Sequence, residues 1–240
     1  MENERIRSEA DLSQESRWYH ERLGIRCVAA LEKKNFKARY VPDREQARSV
    51  ILETIEEGAS IGFGDSVTLD QLDIWQELRK RGGHQIFHPW RMKGRPHYPT
   101  TLEDPYLVEA IKNCRKALDS DVYLTGVNAI TLDGKLVFVD GLGNRVAAVI
   151  FGPRRVIVVC GDNKIVPSLD EALNRCKQFA GPMNVKRHFL KHGMEEAPCG
   201  ETGFCVDCRH PRRQCCYRVI VEWQYAPRIE VIVVGETLGI

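Results

Sequence analysis

The chain has 240 residues, 43% hydrophobic and 28% charged, enough to bury a sizeable core and far from the composition of disordered chains. Its 35 basic and 33 acidic residues are interspersed and leave a formal charge of +2, which excludes a broad electrostatic footprint for nucleic acid or an anionic membrane and points to a small partner. No run approaches the length of a membrane span, and the opening MENERIRSEADLSQESRW lacks the apolar stretch of a signal peptide, so a cytoplasmic protein is expected.

Apolar residues at helical spacing between Leu12 and Lys34 (Trp18, Leu23, Ile25, Val28, Leu31) predict a helix, and FKARYV from Phe36 predicts a strand. Residues 1–42 are expected to pack as helix and strand on a domain formed by residues 43–240. Asp43 and Gln46 form a capping box ahead of REQARSVILETIEEG, Gly58 stops that helix, and ASIGFG is a short apolar strand. The same logic predicts one helix over TLDQLDIWQELRKRGG, capped by Thr68 with Gln71 three residues on, and HQIFH as the next strand. PWRMKGRPHYPTTLEDP has four prolines and no periodicity and is expected to be a loop. A helix near Glu103–Leu118 and the strand DVYLTG follow. NAITLDGKLVFVDGLGNRVAAVIFGPRR then alternates strand, turn and short helix before the wholly apolar VIVVC, which must be buried on both faces. Ser168 and Glu171 cap SLDEALNRCKQF, and RIEVIVVGETLG closes the chain with another buried strand. Helix and strand in alternation predict an α/β protein with an open, mainly parallel sheet wrapped by helices.

Cys27, Cys114, Cys160 and Cys176 fall in helix and strand patterns where a small buried hydrophobe fits. The other five of the nine cysteines are concentrated in PCGETGFCVDCRHPRRQCC, residues 198–216. A Cys-x-x-Cys pair with two further thiols in reach supplies the four ligands that zinc or an iron–sulfur cluster takes. The spacing C-x5-C-x2-C-x6-C through Cys199, Cys205, Cys208 and Cys215 matches neither the standard zinc ribbon nor the bacterial ferredoxin run, so both metals stay open, and Cys216 is the alternative fourth ligand. Arg209, His210, Arg212 and Arg213 offset the charge of four thiolates.

In IGFGDSVTLDQL a strand runs through Gly62 and Gly64 into Ser66 and Thr68 at a helix start, a geometry suited to a phosphate or carboxylate, although Asp65 opposes an anion. TGVNAITLDGKLVFVDGLGNRVA sets Asn128, Thr131, Asp133, Asp140, Asn144 and Arg145 at strand ends and turns, where a doubly wound sheet gathers its ligand groups. Asp140, and with it Asp133, is a candidate acid or base; Arg145 is a candidate anion clamp and Asn128 a carbonyl holder.

The run DVYLTGVNAITLDGKLVFVDGLGNRVAAVIFGPRRVIVVCGDNKIV, together with GFGDSVTLDQL, the cysteine segment and VIVVGETLG, resembles the lactate-utilisation (LUD) domain family over roughly Val50 to Ile240. The resemblance implies the Rossmann-like superfold of sugar-phosphate isomerases and CoA-transferases, in which the loop matching Gly62–Thr68 binds phosphate or an acyl thioester. Related isomerases carry a catalytic aspartate in a Gly-Ala-Asp segment that looks like Gly126-Val127-Asn128 here, with an Asn-Lys pair that looks like Asn144-Arg145. An asparagine does not shuttle protons as a carboxylate does, which argues against that chemistry unless Asp133 or Asp140 supplies it. The resemblance further implies lactate oxidation to pyruvate beside iron–sulfur partner proteins, and favours a [4Fe–4S] cluster over zinc on the cysteine segment. Three readings follow: an electron-transfer protein that binds a small carboxylate or phosphorylated ligand at the glycine loop, a non-catalytic or regulatory subunit stapled by structural zinc, or a sugar-phosphate isomerase or acyl-CoA transferase. Exposed strand edges of this superfold imply a homodimer.

Overall fold

A computed structural model describes residues 9–91 and 103–240. Most of the predicted proline-rich loop lies outside the described residues. Six parallel strands, β1 (Lys37–Val41), β2 (Ile61–Phe63), β3 (Ile86–Phe87), β4 (Val122–Gly126), β7 (Arg155–Gly161) and β10 (Ile229–Val234), form the main sheet in the order β1-β10-β7-β4-β2-β3. This is the expected α/β class with an open parallel sheet.

Two strands that are apolar but for Arg155 and Glu230, which pair with each other, explain why the sheet is covered on both sides. Val156, Val158 and Cys160 of β7, with Ile229, Val231 and Val233 of β10, enter one core. Their alternates Ile157, Val159, Ile232 and Val234 enter the other. Strand periodicity of two thus divides one sequence between two hydrophobic layers. Helix α1 (Ser13–Glu32) brings Cys27 and Leu31 to the first core, and α6 (Asn144–Ile150) brings Val146 and Val149. Helix α2 (Arg44–Thr54) covers the second through Ala47 and Ile51. Asp43 caps α2 by accepting the Gln46 N–H at 2.8 Å, as its spacing requires. Helix α5 (Pro105–Ala117) is capped in the same way by Asp104. Cys27, Cys114, Cys160 and Cys176 are all buried and unpaired, as small hydrophobes would be.

Three features depart from the expectations. The helix predicted over TLDQLDIWQELRKRGG is two helices, α3 (Val67–Gln71) and α4 (Ile74–Arg81), because Asp73 takes φ +54 between them. Its cap is Ser66, which accepts the Leu69 N–H at 3.4 Å, and not Thr68. A second sheet, in the order β8-β5-β6-β9, joins β5 (Ala129–Thr131), β6 (Leu136–Asp140), β8 (Ile165–Val166) and β9 (Tyr217–Val221). Finally, SLDEALNRCKQF does not end a helix. Ser168 caps α7 (Leu169–Arg175) at Glu171 as predicted, but the chain continues through a π-helical turn, Cys176–Ala180, into α8 (Gly181–His192).

Candidate functional site

The chain leaves β2 for the edge strand β3 and returns across it to β4, so the topological switch lies between β2 and β4, where ligands of open α/β sheets bind at the carboxyl ends of strands. A cleft of about 700 Å³ opens there, within the range of small-molecule sites. Asp65 and Ser66 enter it from the loop after β2, Thr68 from the first turn of α3, Asn128 from the loop after β4, and Lys164 from the segment after β7. Asp140, Asn144 and Arg145 line it from the end of β6 and the start of α6, and Arg187 and His188 from α8.

The glycine loop is built by close approach. A Cβ at Gly126 would lie 2.7 Å from Ser66 Oγ, and one at Gly64 would lie 2.7 Å from Thr125 Oγ1 and 3.2 Å from the Arg145 side chain. Gly126→Ala is therefore expected to push the Ser66 hydroxyl off its cap and cost about 1 kcal/mol, read as a lower urea midpoint; an unchanged midpoint would show that the hydroxyl yields freely. Gly62 points away from the cleft and admits Tyr123 and Ala117 behind the loop. The carboxylate of Asp65 no longer opposes an anion: burial alone would raise its pKa, but Arg187 at 2.8 Å, with His188 and His88 nearby, overrides burial and holds it below the usual range.

The Asp140 carboxylate and the Asn128 amide oxygen are engaged by the fold. Asp140 Oδ1 accepts the Gly143 N–H at 2.9 Å and Oδ2 pairs with Arg145 Nε at 3.2 Å, both side chains being largely buried. Asn128 Oδ1 accepts from the Val139 N–H at 2.9 Å and from Arg145 at 3.1 Å, and Arg145 also reaches the Val139 carbonyl. Thr131 and Asp133 do not join the cleft. They form the β5–β6 turn, where Thr131 and Lys135 hold the Asp133 carboxylate, with Lys34 at 3.6 Å, and the hydrogen bonds from Lys135 and Thr131 lower its pKa to about 2. The structure therefore places these two residues in the turn and not among the cleft-lining groups.

The cysteine segment reaches the same cleft because of β9. That strand pairs antiparallel with β6, setting Tyr217 opposite Asp140, and the Cys216 N–H donates to the Asp140 carbonyl at 2.9 Å. Cys199, Cys205, Cys215 and Cys216 line the cleft. Helix α9 (Pro198–Thr202) carries Cys199, and Gln178 in the π-helical turn accepts the Cys205 N–H at 3.3 Å. Burial raises the Cys199 pKa, and the nearby Cys208, Cys215 and Cys205 raise it further, so the four expected ligands are electrostatic neighbours. Arg213 donates to Cys215 Sγ at 3.5 Å, the kind of N–H···S support that cluster thiolates take, whereas Cys216 is exposed and its thiol turns to the Arg213 carbonyl. Cys199, Cys205, Cys208 and Cys215 are thus the candidate donors for a four-thiolate centre. Among the described residues, no three His, Cys, Asp or Glu side chains are already drawn together as a metal-binding group.

The LUD domain family model matches residues 26–234. The chain belongs to the LUD domain family. Membership of the LUD family supports a role related to lactate utilisation. The structure of a DUF162 family protein from Deinococcus radiodurans is similar over 90% of this LUD chain and 98% of that chain, with a TM-score of 0.50 and 13% identity, a likeness of fold alone. Ribose 5-phosphate isomerase from Plasmodium falciparum overlaps 62% of this chain and 63% of its own, at 15% identity and a TM-score of 0.32. A search of curated proteins finds no match. Among the described residues of this LUD chain, no helix is long and apolar enough to cross a membrane.

Sequence reasoning missed Lys164, Arg187 and His88. Lys164 lies three residues beyond a strand buried on both faces, and that position at a carboxyl end was the available signal. Arg187 belongs to a helix, Gly181–His192, that the sequence reading did not predict.

Proposed function

We propose that this chain is a lactate-utilisation protein that binds a small 2-hydroxy or 2-oxo carboxylate in the cleft and carries a [4Fe–4S] cluster on Cys199, Cys205, Cys208 and Cys215. The observation that carries the reading is that the glycine loop and the cysteine segment line one cleft. Ser66, Thr68 and Lys164 would hold the carboxylate, while Arg213 and its neighbours offset the thiolate charge. Such a cluster would supply one-electron transfer beside the bound acid, with electrons passed to iron–sulfur partner proteins in the cytoplasm. Isomerase chemistry is disfavoured because Asn128 replaces the carboxylate and Asp140 is tied to Arg145.

The test is anaerobic purification with iron, acid-labile sulfide and zinc analysis, followed by calorimetric titration with L-lactate and pyruvate. Iron and sulfide in about equal amounts are expected, lost in Cys215→Ser and kept in Cys216→Ser. Zinc in place of iron would select the structural-staple reading, and a metal-free, colourless protein that binds neither acid would refute the proposal.

A further inference from the structure

We infer that Lys164 is the residue that receives the ligand's negative charge, and that the site it forms with Thr68 takes a monocarboxylate. The assignment rests on the carboxylate-binding reading above and names the group that performs it. Lys164 is only 3% exposed, yet it lines the cleft, and its Nζ donates to Thr68 Oγ1 at 3.0 Å. The backbone of Gly239 closes over both groups: a Cβ there would stand 2.3 Å from Thr68 Oγ1 and 2.7 Å from Lys164 Nζ, and its φ of +69 suits glycine. Hydroxyl, amine and backbone thus converge with no room for a side chain.

Charge balance singles out this lysine. At the glycine-loop end of the cleft Arg145 is paired with Asp140, and Arg187 with Asp65. Among the described residues no carboxylate lies within ion-pair distance of Lys164. An ammonium left buried without a counter-ion is costly, so this one is a standing demand for an anion. The amine and the Thr68 hydroxyl, which accepts from it and keeps its own proton to donate, present a pair of donors that fits the two oxygens of a carboxylate. The broken helix explains how the hydroxyl became available: Ser66 takes the cap, which leaves Thr68 free to orient the amine.

The groups that face the amine are Cys160 on β7, Arg175 on α7 and Arg145 on α6. Burial lowers the Lys164 pKa to about 8 and pushes the Cys160 thiol up to about 12, so near neutrality Cys160 is uncharged and the amine is the group that titrates. A carboxylate bound beside the ammonium favours the charged form, so binding takes up protons near pH 8 and weakens as pH rises above it.

Calorimetric titration of the full chain with L-lactate, pyruvate and inorganic phosphate, in buffers of different ionisation enthalpy at pH 8, tests this. The wild type should bind a monocarboxylate more tightly than phosphate and take up about half a proton per ligand. Lys164→Met should weaken the carboxylate at least about tenfold and abolish the proton uptake, and Thr68→Val should weaken it by about fivefold. If Lys164→Met does not fold, the proton uptake of the wild type and the Thr68→Val affinity decide. Carboxylate binding with unchanged affinity in Lys164→Met and no proton uptake would overturn the lysine assignment and leave the cleft reading standing. Tighter phosphate binding would overturn the monocarboxylate assignment, and a wild type that binds no carboxylate would overturn both the inference and the reading beneath it.

Discussion

Lowering the pH from 7 to 4 is expected to destabilise the protein by about 3 kcal/mol through His88 alone. The imidazole lies in an aromatic box, stacked on Phe63 at 5.3 Å between ring centroids and edge-on to Trp75 at 5.2 Å. Its Nδ1 accepts the Trp90 N–H at 3.1 Å, a bond that only the ring with an unprotonated Nδ1 can make. Burial is the dominant cause that pushes its pKa down to about 3; Asp65 opposes this and Arg91 adds to it. In the unfolded chain the ring titrates near 6.5, so its contribution is fully present above about pH 6.5 and is lost as pH falls toward 3. Urea unfolding of the wild type and His88→Gln at pH 7 and pH 4 isolates this contribution, since the carboxylates titrate in both proteins. An equal acid loss in the two would show that His88 is not the cause.

The second large effect concerns Asp140. Asp140→Asn is expected to cost about 3 kcal/mol, because it removes the counter-ion of a buried Arg145 and leaves that guanidinium with only the Asn128 and Val139 oxygens. Circular dichroism melts should show a midpoint lower by roughly 6–10 °C. Arg145→Met in the same chain should restore much of the loss, since an apolar replacement of both partners removes the unpaired charge. A single variant as stable as the wild type would return Asp140 to the list of acid–base candidates. These outcomes matter for function, because a carboxylate committed to holding Arg145 is a poor proton carrier.

The legible and illegible parts of the sequence divide on physical grounds. Continuous apolar strands such as VIVVC announce burial on both faces, and capping residues such as Asp43 and Ser168 mark helix starts through hydrogen bonds that are local in sequence. Ser66 and Thr68 both fit the cap pattern, and only the left-handed turn at Asp73, which splits the helix, goes with the one that caps. Asp133 and Asp140 look alike in sequence, each in a turn after a short strand. One is held by lysines at the surface and the other by a buried arginine, a difference set by tertiary packing alone. Strand β9 went unseen because its outward face is partly exposed and its partner β6 lies far away in the chain. Without it the cysteines could be counted but not placed.

That pairing also bears on the order of events in the life of the molecule. The cysteine-bearing stretch is moored on one side by α8 and on the other by β9, whose register with β6 cannot slip by one residue without turning every side chain over. Its loop-closure entropy is therefore spent by the protein fold. On the four-thiol reading, maturation is a late step performed on a finished scaffold: the thiols wait at the rim, and stripping the centre would leave a folded vessel ready to be refilled, unlike small zinc modules that collapse without their ion.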